Sequence, residues 1–580
     1  MIKKLSKSIR EYKSYTIWTM VFIVIEVFLE VLIPFITANM VNGIKASEEM
    51  NIVVSEGLKL LVMALISLLC GAAAGYTCAK ASSGFAKNLR HDIFARIQSF
   101  SFGNVDNFSE ASLVTRMTTD VFDVQMAFMM LIRTAIRCPL MVLFCIIMAF
   151  KMGGMLALTF VVIVPVLLIG LFAVAKMAMP AFRAVFKKYD KLNESIEENV
   201  RAMRVVKGFA REDFEKEKFN KASDNIKDDF TKAERIVAIN TPLMQFCVYF
   251  NMIFVYAIGS KMIITSNGTA IDVGQLSAML TYGIQVLMSL MMFGAIYVIL
   301  TMASEAARRI TEVLDEESEI VNPENPVFEV KDGSVSFEDV SFKYSSKAKT
   351  YALSGINLDI KSGMTVGILG GTGSSKTTLI QLIPRLYDAT EGAVKVGGID
   401  VRNYDLDTLR NSVAVVLQKN LLFAGTIKEN LRWGDENATD EEIQEACALA
   451  QAEEFILEMP DKYDTFIEQG GTNVSGGQKQ RLCIARALLK KPKILILDDS
   501  TSAVDMKTDA LIRKGFKEYI PETTKFIIAQ RVASVMDADL ILVMRGGAIL
   551  SMGTHDELMA TCDEYRETYD QQTNGGDFDD

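Results

Sequence analysis

The chain has 580 residues, enough for more than one domain, and half of them are apolar, which is high for a soluble protein. Its net charge of −10 argues against a nucleic-acid-binding protein. The eight cysteines form no C-x-x-C pair, and the two histidines, His91 and His555, lie far apart, which argues against a metal site built on either residue type.

The first half of the chain contains long apolar stretches. Six of them can be delimited, at residues 16–42, 57–79, 126–150, 154–179, 240–265 and 275–303. Each supplies about 20 helical residues, enough to cross a hydrocarbon core of about 30 Å. The first is followed by no small-residue cleavage site, so no cleavable signal peptide is expected. We predict an α-helical membrane domain of six transmembrane helices over residues 1–315, in a multi-pass protein of the cell membrane whose partner is the lipid bilayer.

Lysine and arginine are concentrated at the N-terminus and in two long loops with a helical rhythm, at about residues 83–124 and 180–238. The connections on the other side are short and poor in these residues. By the positive-inside rule, the N-terminus, both loops and the C-terminal half are predicted to be cytoplasmic. Short helices lying across a cytoplasmic domain are expected at the turns of the loops, at 108–114 and 203–209.

Four charged residues lie inside the predicted spans. Glu26 and Glu30 share one face of the first span, and Arg133 and Arg137 share one face of the third. Because charges inside a membrane are costly, they are expected to pair with each other, to face a water-filled cavity, to bind substrate or to lie at the membrane interface. The sequence leaves these alternatives open.

An acidic, proline-containing linker at 316–334 separates the halves. Strand-like apolar runs alternate with helical stretches after it, which predicts an α/β P-loop nucleotide-binding domain at 335–570. Residues 571–580 are interpreted as an acidic tail.

The stretch GGTGSSKTT has the composition of a phosphate-binding loop, and it lies between a strand-like run at 365–369 and a helical run at 379–382. Loop amides and the helix N-terminus hold the anion, Lys376 reaches the β- and γ-phosphates, and the Thr377 hydroxyl ligates Mg²⁺. The predicted nucleotide-binding residues are Gly370, Gly371, Thr372, Gly373, Ser374, Ser375, Lys376, Thr377 and Thr378. The pattern G-x-x-x-x-G-K-[ST] fails once, because Ser375 replaces its second glycine.

Two further motifs follow this loop. The apolar run at 494–497 ends in Asp498, the pattern of a buried parallel strand whose carboxylate organises a phosphate-bound Mg²⁺. Before it, the VSGGQ stretch places Ser475 as a helix N-cap, while Gly476 and Gly477, followed by Gln478, let backbone amides approach a phosphate.

VSGGQ ahead of such a strand resembles the signature motif of the ATP-binding cassette (ABC) family, and six spans followed by this domain resemble an ABC exporter half-transporter, over nearly the whole chain. The resemblance implies ATP and Mg²⁺ as cofactors and an ATPase/translocase activity. It implies that Tyr344 stacks on adenine, that Gln418 contacts Mg²⁺ and couples to the membrane domain, and that 502–505 form the D-loop. In this family the phosphate-binding loop of one cassette, called the Walker A motif, and the signature of another cassette enclose each ATP. One cassette per chain therefore implies a dimer.

Three residues depart from the family pattern. Asp499 stands where the family has a glutamate that acts on the attacking water, and its carboxylate is drawn back by roughly 1–1.5 Å. Gln530 stands where the family has a switch histidine; it donates a hydrogen bond but cannot become an imidazolium. With Ser375, these changes resemble the degenerate-site subunit of a heterodimeric ABC exporter, whose intact signature serves a second half-transporter.

The sequence is compatible with two classes of function. The first is a subunit of an ATP-driven pump exporting small amphiphilic or drug-like compounds, with a lipid or peptide exporter as a variant. The second is a nucleotide-gated regulatory or channel-like membrane protein without turnover. The intact signature favours the pump, because a partner's hydrolysis site would use it.

Overall fold

The computed structural model describes residues 1–46, 50–266, 269, 271–345, 348–499 and 504–574. Two of the predicted D-loop residues, 502 and 503, and residues 575–580 of the predicted tail lie outside them. Contacts divide the chain into two units, residues 1–98 with 109–316 and residues 99–108 with 317–580. The segment 99–108, which lies inside the predicted loop at 83–124, therefore groups with the C-terminal unit.

Helices account for the N-terminal part of the chain, as the long apolar runs predict. In chain order they are α1 (Ile2–Leu5), α2 (Lys13–Ala46), α3 (Met50–Gln98), α4 (Phe102–Asn107), α5 (Glu110–Thr115), α6 (Val121–Ile132), α7 (Thr134–Gly153), α8 (Leu158–Arg201), α9 (Met203–Gly208), α10 (Glu212–Val237), α11 (Asn240–Thr265) and α12 (Val273–Asp315). The short helices α5 and α9 lie close to the turns predicted at 108–114 and 203–209. The helical membrane domain is thus confirmed.

The count of spans differs from the predicted six. Among the described residues, five helical segments are long and apolar enough to cross a membrane. One of them, Glu110–Phe182, contains both predicted spans at 126–150 and 154–179. These two stretches are nevertheless distinct helices, because α7 ends at Gly153 and Gly154 adopts a positive φ of 50° before α8 begins.

The charged residues of the first and third predicted spans form a cluster between α2 and α7. Arg137 donates to Glu26 Oε1 at 2.5 Å and to Glu30 Oε2 at 2.6 Å. Arg133, by contrast, is exposed in this chain. Pairing of opposite charges is one of the alternatives that the sequence left open. The structure contains it for Glu26, Glu30 and Arg137.

The C-terminal unit is an α/β domain, as predicted. Its strands are β1 (Val335–Phe342), β2 (Leu353–Ile360), β3 (Thr365–Gly370), β4 (Glu391–Val396), β5 (Ile399–Asp400), β6 (Val413–Val416), β7 (Gly425–Thr426), β8 (Phe466–Ile467), β9 (Ile494–Asp498), β10 (Thr524–Ile528), β11 (Leu540–Arg545) and β12 (Ala548–Gly553). Its further helices are α13 (Lys376–Gln381), α14 (Leu406–Ser412), α15 (Ile427–Leu431), α16 (Asp440–Leu449), α17 (Glu453–Glu458), α18 (Gly476–Leu489), α19 (Met506–Tyr519), α20 (His555–Thr561) and α21 (Asp563–Asn574).

A six-stranded sheet with the order β12-β11-β3-β10-β9-β6 forms the centre of this unit. Its strands are parallel except β12, which pairs antiparallel with β11 at one edge. An antiparallel sheet, β2-β1-β4-β5, lies beside it. The middle strands are apolar along their length because both faces are covered: Ile494 and Ile496 of β9 belong to one buried cluster, and Leu495 and Leu497 to the other.

The order of the parallel strands brings the predicted nucleotide residues to one edge of the sheet. Strand β3 leads into the glycine-rich loop, β9 ends at Asp498, β10 is followed by Gln530, and β6 is followed by Gln418. In the register, Ile528 lies between Ile368 and Asp498. Because parallel strands share a carboxyl edge, where ligands bind in open α/β sheets, these residues meet there.

Candidate nucleotide site

The glycine-rich loop has an unusual backbone at its first and sixth positions. Gly370 has a φ of 155°, and a Cβ there would lie 2.3 Å from the carbonyl oxygen of Met544. Ser375 has φ 69° and ψ 28°, the left-handed region in which a side chain costs about 1–2 kcal/mol. The family glycine is thus replaced by serine at a position whose backbone still adopts the glycine-like conformation.

Lys376 begins α13 and bends back over the loop. Its Nζ donates to the carbonyl oxygens of Gly370 at 2.8 Å and Gly371 at 2.9 Å. Burial lowers the pKa of this amine, opposed by the nearby carboxylates of Asp498 and Asp499. The ammonium therefore lies at the centre of the loop, where a bound phosphate would replace carbonyl contacts by stronger charged ones.

Thr377 and Asp498 form the pair expected to hold a metal ion. The Thr377 hydroxyl donates to Asp498 Oδ2 at 2.9 Å, and Asp498 is only 3% exposed. Burial raises the pKa of Asp498, and the Asp499 charge raises it further, against the Thr377 hydrogen bond and the Lys376 charge. One hydroxyl and one carboxylate fit Mg²⁺, which keeps several waters and takes its other ligands from phosphate.

Asp499 and Gln530 form a second, separate pair. Gln530 Nε2 donates to Asp499 Oδ2 at 2.9 Å, and the Asp499 amide donates to the Ile528 carbonyl oxygen at 3.1 Å. Asp499 has a φ of 50°, so the chain turns away from β9 directly after Asp498. The two neighbouring carboxylates consequently point to different partners, one on α13 and one beyond β10.

One cavity of about 300 Å³ brings most of the predicted residues together. It is lined by loop residues 372–378, Gln418, Asp498, Asp499, Ile528 and Gln530. Tyr344 lies outside this cavity but is hydrogen bonded through its hydroxyl to Thr378 Oγ1 at 2.8 Å. Its ring is about half exposed, so a face remains open beside the loop.

The signature residues lie away from this cavity. Ser475 caps α18, as the sequence predicts: its hydroxyl accepts from the Gln478 amide at 3.3 Å, and the Gln478 side chain accepts from the Ser475 amide at 2.9 Å. This reciprocal box sets the start of the helix, with Gly476 and Gly477 in its first turn. A single chain therefore does not bring its own signature to its own loop among the residues described.

Two contributors to the site carry no sequence signal of their own. Tyr387 packs edge-on against Tyr344 with ring centroids 5.2 Å apart, and its hydroxyl donates to Asp106 Oδ2 at 2.7 Å. Gln572 of α21 contacts the main chain around Gln530. Neither belongs to a motif with spacing, so only knowledge of the fold could have found them.

The comparisons with known proteins agree with this geometry. Residues 16–290 match the ABC transporter transmembrane region, and residues 353–502 match the ABC transporter family. The uncharacterized ABC transporter ATP-binding protein YfiB of Bacillus subtilis is 35% identical over 547 residues, 94% of each chain. An ATP-dependent lipid A-core flippase of Desulfotalea psychrophila is 32% identical over 84% of each chain. A fatty acid ABC transporter ATP-binding/permease protein of Mycobacterium bovis is 32% identical over 81% of this chain and 74% of its own.

The fold is also found among solved structures. A bacterial Atm1-family ABC exporter with ATP bound superposes with a TM-score of 0.83 at 21% identity, covering 97% of this chain and 98% of the other. This likeness supports the arrangement of a helical membrane domain fused to a nucleotide-binding domain. With the identity to YfiB over almost the whole length, it follows that the chain belongs to the ABC transporter family, as a multi-pass membrane protein with an ATP-binding domain.

Proposed function

We propose that this chain is the degenerate-site subunit of a heterodimeric ABC exporter. The Asp499–Gln530 pair carries the proposal, because a shortened carboxylate and an uncharged amide stand together at the two positions where the family resemblance puts glutamate and histidine. Both departures from the family pattern would weaken ATP hydrolysis itself. The shorter side chain misplaces the base that orients the attacking water, and the amide supplies no positive charge to the transition state.

The groups that bind nucleotide are retained on the other side of the site. Lys376 is positioned for the β- and γ-phosphates, and Thr377 with Asp498 would hold Mg²⁺. The metal, when bound, neutralises charge on the phosphates. Tyr344 would stack on adenine, and Gln418 would reach the metal from the end of β6. The chain is therefore proposed to hold ATP without hydrolysing it rapidly.

A second half-transporter would complete the dimeric exporter. The signature at Ser475–Gln478 is intact and rigidly capped, but it does not face the loop of its own chain. A second half-transporter would place its Walker A loop against this signature and hydrolyse ATP there. The distribution of lysine and arginine supports a cytoplasmic N-terminus and cytoplasmic cassette.

The proposed cargo is a small amphiphilic or drug-like compound moved out of the cytoplasm or the inner leaflet. The relatives named for lipid A-core and for fatty acid transport favour a lipid-like amphiphile as the second candidate. A nucleotide-gated channel or regulator is the alternative class. It would use the same bound ATP, but its flux would not depend on hydrolysis at a partner site.

ATPase assays on the purified full-length chain test the degenerate site. We expect slow hydrolysis, little changed in Asp499→Asn, and a rise of about 10- to 100-fold in Asp499→Glu combined with Gln530→His, because carboxylate reach and positive charge are restored. Brisk hydrolysis by the unmodified chain, abolished by Asp499→Asn, would contradict the proposal.

Transport assays test the pump against the gated channel. The chain would be co-expressed with a candidate second half-transporter, and efflux of a fluorescent lipid and of a cationic dye would be followed. Replacing the catalytic glutamate of that second chain by glutamine is expected to abolish efflux. Flux that persists after this replacement would favour the nucleotide-gated alternative.

A further inference from the structure

Helix α21, the last one among the residues that the structure describes, is fixed to the nucleotide-binding unit at its first turn. Tyr565 is 2% exposed, belongs to the core cluster that covers one face of the central sheet, and is hydrogen bonded through its hydroxyl to His555 Nδ1 at 2.7 Å. Arg566 Nε donates to the Met559 carbonyl oxygen at 2.9 Å. The helix is therefore a docked element, although its composition is that of a polar tail.

One face of α21 runs along the nucleotide loop. Glu564, Thr568 and Gln572 are spaced by four residues and so lie above one another on that face. Glu564 and Thr568 line a cavity of about 350 Å³ whose other wall includes Gly371, Lys376 and Gln530. The third residue of the row, Gln572, reaches the segment that carries Gln530.

Gln572 makes two hydrogen bonds to the main chain of that segment. Its Nε2 donates to the Gln530 carbonyl oxygen at 2.9 Å, and its Oε1 accepts from the Val532 amide at 2.8 Å. Val532 opens a 3-10 turn that ends at Ser534 and has no side-chain cap from the residue before it. A single primary amide thus fixes the main chain on both sides of Arg531.

The segment that Gln572 contacts carries Gln530, whose side chain donates to Asp499. The Ala529 amide donates to the Ile368 carbonyl oxygen at 3.3 Å, which ties the segment to β3 on its near side. Gln572 ties it on the far side, so the Cα of Gln530 is held between two anchors. The Gln530 side chain, which donates to Asp499 Oδ2, extends from this anchored main chain.

We infer that Gln572 is a positioning residue for Gln530, and that α21 thereby controls how the site recognises the terminal phosphate of ATP. The inference rests on the proposed function in one respect, the contact of Gln530 with the γ-phosphate. Gln572 itself touches no nucleotide. Its effect is on the main chain from which Gln530 extends.

A simpler role, fastening α21 to the domain, makes a different prediction. Fastening alone would change thermal stability and would affect ATP and ADP binding alike. Positioning of Gln530 acts on the γ-phosphate, which ADP lacks. The preference for ATP over ADP therefore separates the two roles.

The experiment measures displacement of a fluorescent ATP analogue by ATP and by ADP, with Mg²⁺, from the full-length chain in lipid nanodiscs. The variants are Gln572→Ala, Gln530→Ala and their combination, with Gln571→Ala as the matched control on the same turn. We expect Gln572→Ala to lower the ATP-over-ADP preference about three- to tenfold, the effect of weakening the one hydrogen bond from Gln530 to the γ-phosphate. In the Gln530→Ala background it should have no further effect, since the residue it positions is gone.

The outcomes separate this inference from the proposed function. If Gln530→Ala lowers the preference and Gln572→Ala does not, the inference is wrong and the proposed function stands. If neither variant lowers it, the proposed phosphate contact of Gln530 fails and the inference with it. Equal losses of ATP and ADP affinity in Gln572→Ala show fastening alone and overturn the inference. Should Gln572→Ala fail to fold, the same test is made with Gln572→Glu. This variant keeps the acceptor for the Val532 amide but loses the donor to the Gln530 carbonyl oxygen, and its ATP-over-ADP preference is measured in the same way.

Discussion

The two sides of the nucleotide site differ in what their side chains are bonded to. On the loop side, Lys376 contacts loop carbonyl oxygens and Thr377 contacts Asp498. The Lys376 ammonium is the group that a phosphate would engage, and the Thr377 hydroxyl and Asp498 carboxylate are those that Mg²⁺ would engage. On the switch side, Asp499 and Gln530 are bonded to each other. The consecutive residues Asp498 and Asp499 thus have different hydrogen-bond partners.

This difference indicates that binding and hydrolysis can change independently in such a domain. The left-handed φ of Asp499 turns its side chain away from that of Asp498, so a substitution at the second position leaves the first in place. A site can therefore lose turnover while it keeps its ligand. Two substitutions and a pH titration, all acting on the loop side, test whether nucleotide binding can be changed independently of Asp499 and Gln530.

Replacing Lys376 should give the largest effect on binding. Loss of its charged contacts to phosphate is expected to weaken ATP affinity of Lys376→Ala by about 100-fold, whereas Asp499→Asn should change it less than about twofold. Titration of the full-length chain with a fluorescent ATP analogue measures both. Lys517→Ala, an exposed lysine on α19, serves as the control. A comparable loss of affinity in Asp499→Asn would show that the two sides are not separate.

The buried carboxylate of the loop side predicts a pH effect of intermediate size. Burial raises the pKa of Asp498, so the protonated form appears at a higher pH than for an ordinary aspartate. Mg²⁺ requires the carboxylate, and Mg²⁺-dependent ATP affinity should therefore fall several-fold as pH is lowered from about 7.5 to about 5.

The control for this titration is Asp498→Asn, which has no proton to gain. Its affinity is expected to be low and to vary less with pH over the same range. A wild-type affinity that varies with pH no more than that of Asp498→Asn would contradict a contribution from the Asp498 carboxylate.

The sequence predicted the loop side better than it predicted what supports the switch side. Strand, loop and helix impose a fixed spacing, from which the sequence predicts that Lys376, Thr377 and Asp498 lie together, and all three line one cavity. Gln572 could not be predicted, because residues 571–580 have a polar composition without apolar periodicity, and the sequence suggested a tail. The hydrogen bonds of Gln572 join it to residues 40 and 42 positions away in sequence, which no local spacing predicts.

The membrane unit shows the same limit. Apolar length predicted a helical membrane domain, although it gave six spans where five long apolar helical segments are described, and helical spacing placed Glu26 and Glu30 on one face. Which arginine pairs with them depends on how α2 packs against α7, and spacing within one helix does not determine it. The structure selects Arg137 and leaves Arg133 exposed.

The smallest expected effect concerns Ser375, the one departure on the loop side. Its φ of 69° is a conformation that glycine adopts freely and serine does not, so Ser375→Gly should relieve about 1 kcal/mol of strain, partly offset by the greater freedom of glycine in the unfolded chain. We expect the melting temperature of the nucleotide-binding domain in the full-length chain to rise by about 1–3 °C, and ATP affinity to increase at most a few-fold because the left-handed conformation at this position is no longer strained. Ser374→Gly is the matched control, because Ser374 has no positive φ and its hydroxyl lies 3.4 Å from Lys376 Nζ. That control should lower stability, since it adds backbone freedom without relieving strain. If Ser375→Gly lowered stability as much as Ser374→Gly, the serine would be a stabilising part of the loop, and the loop side would have adapted to it rather than merely tolerated it.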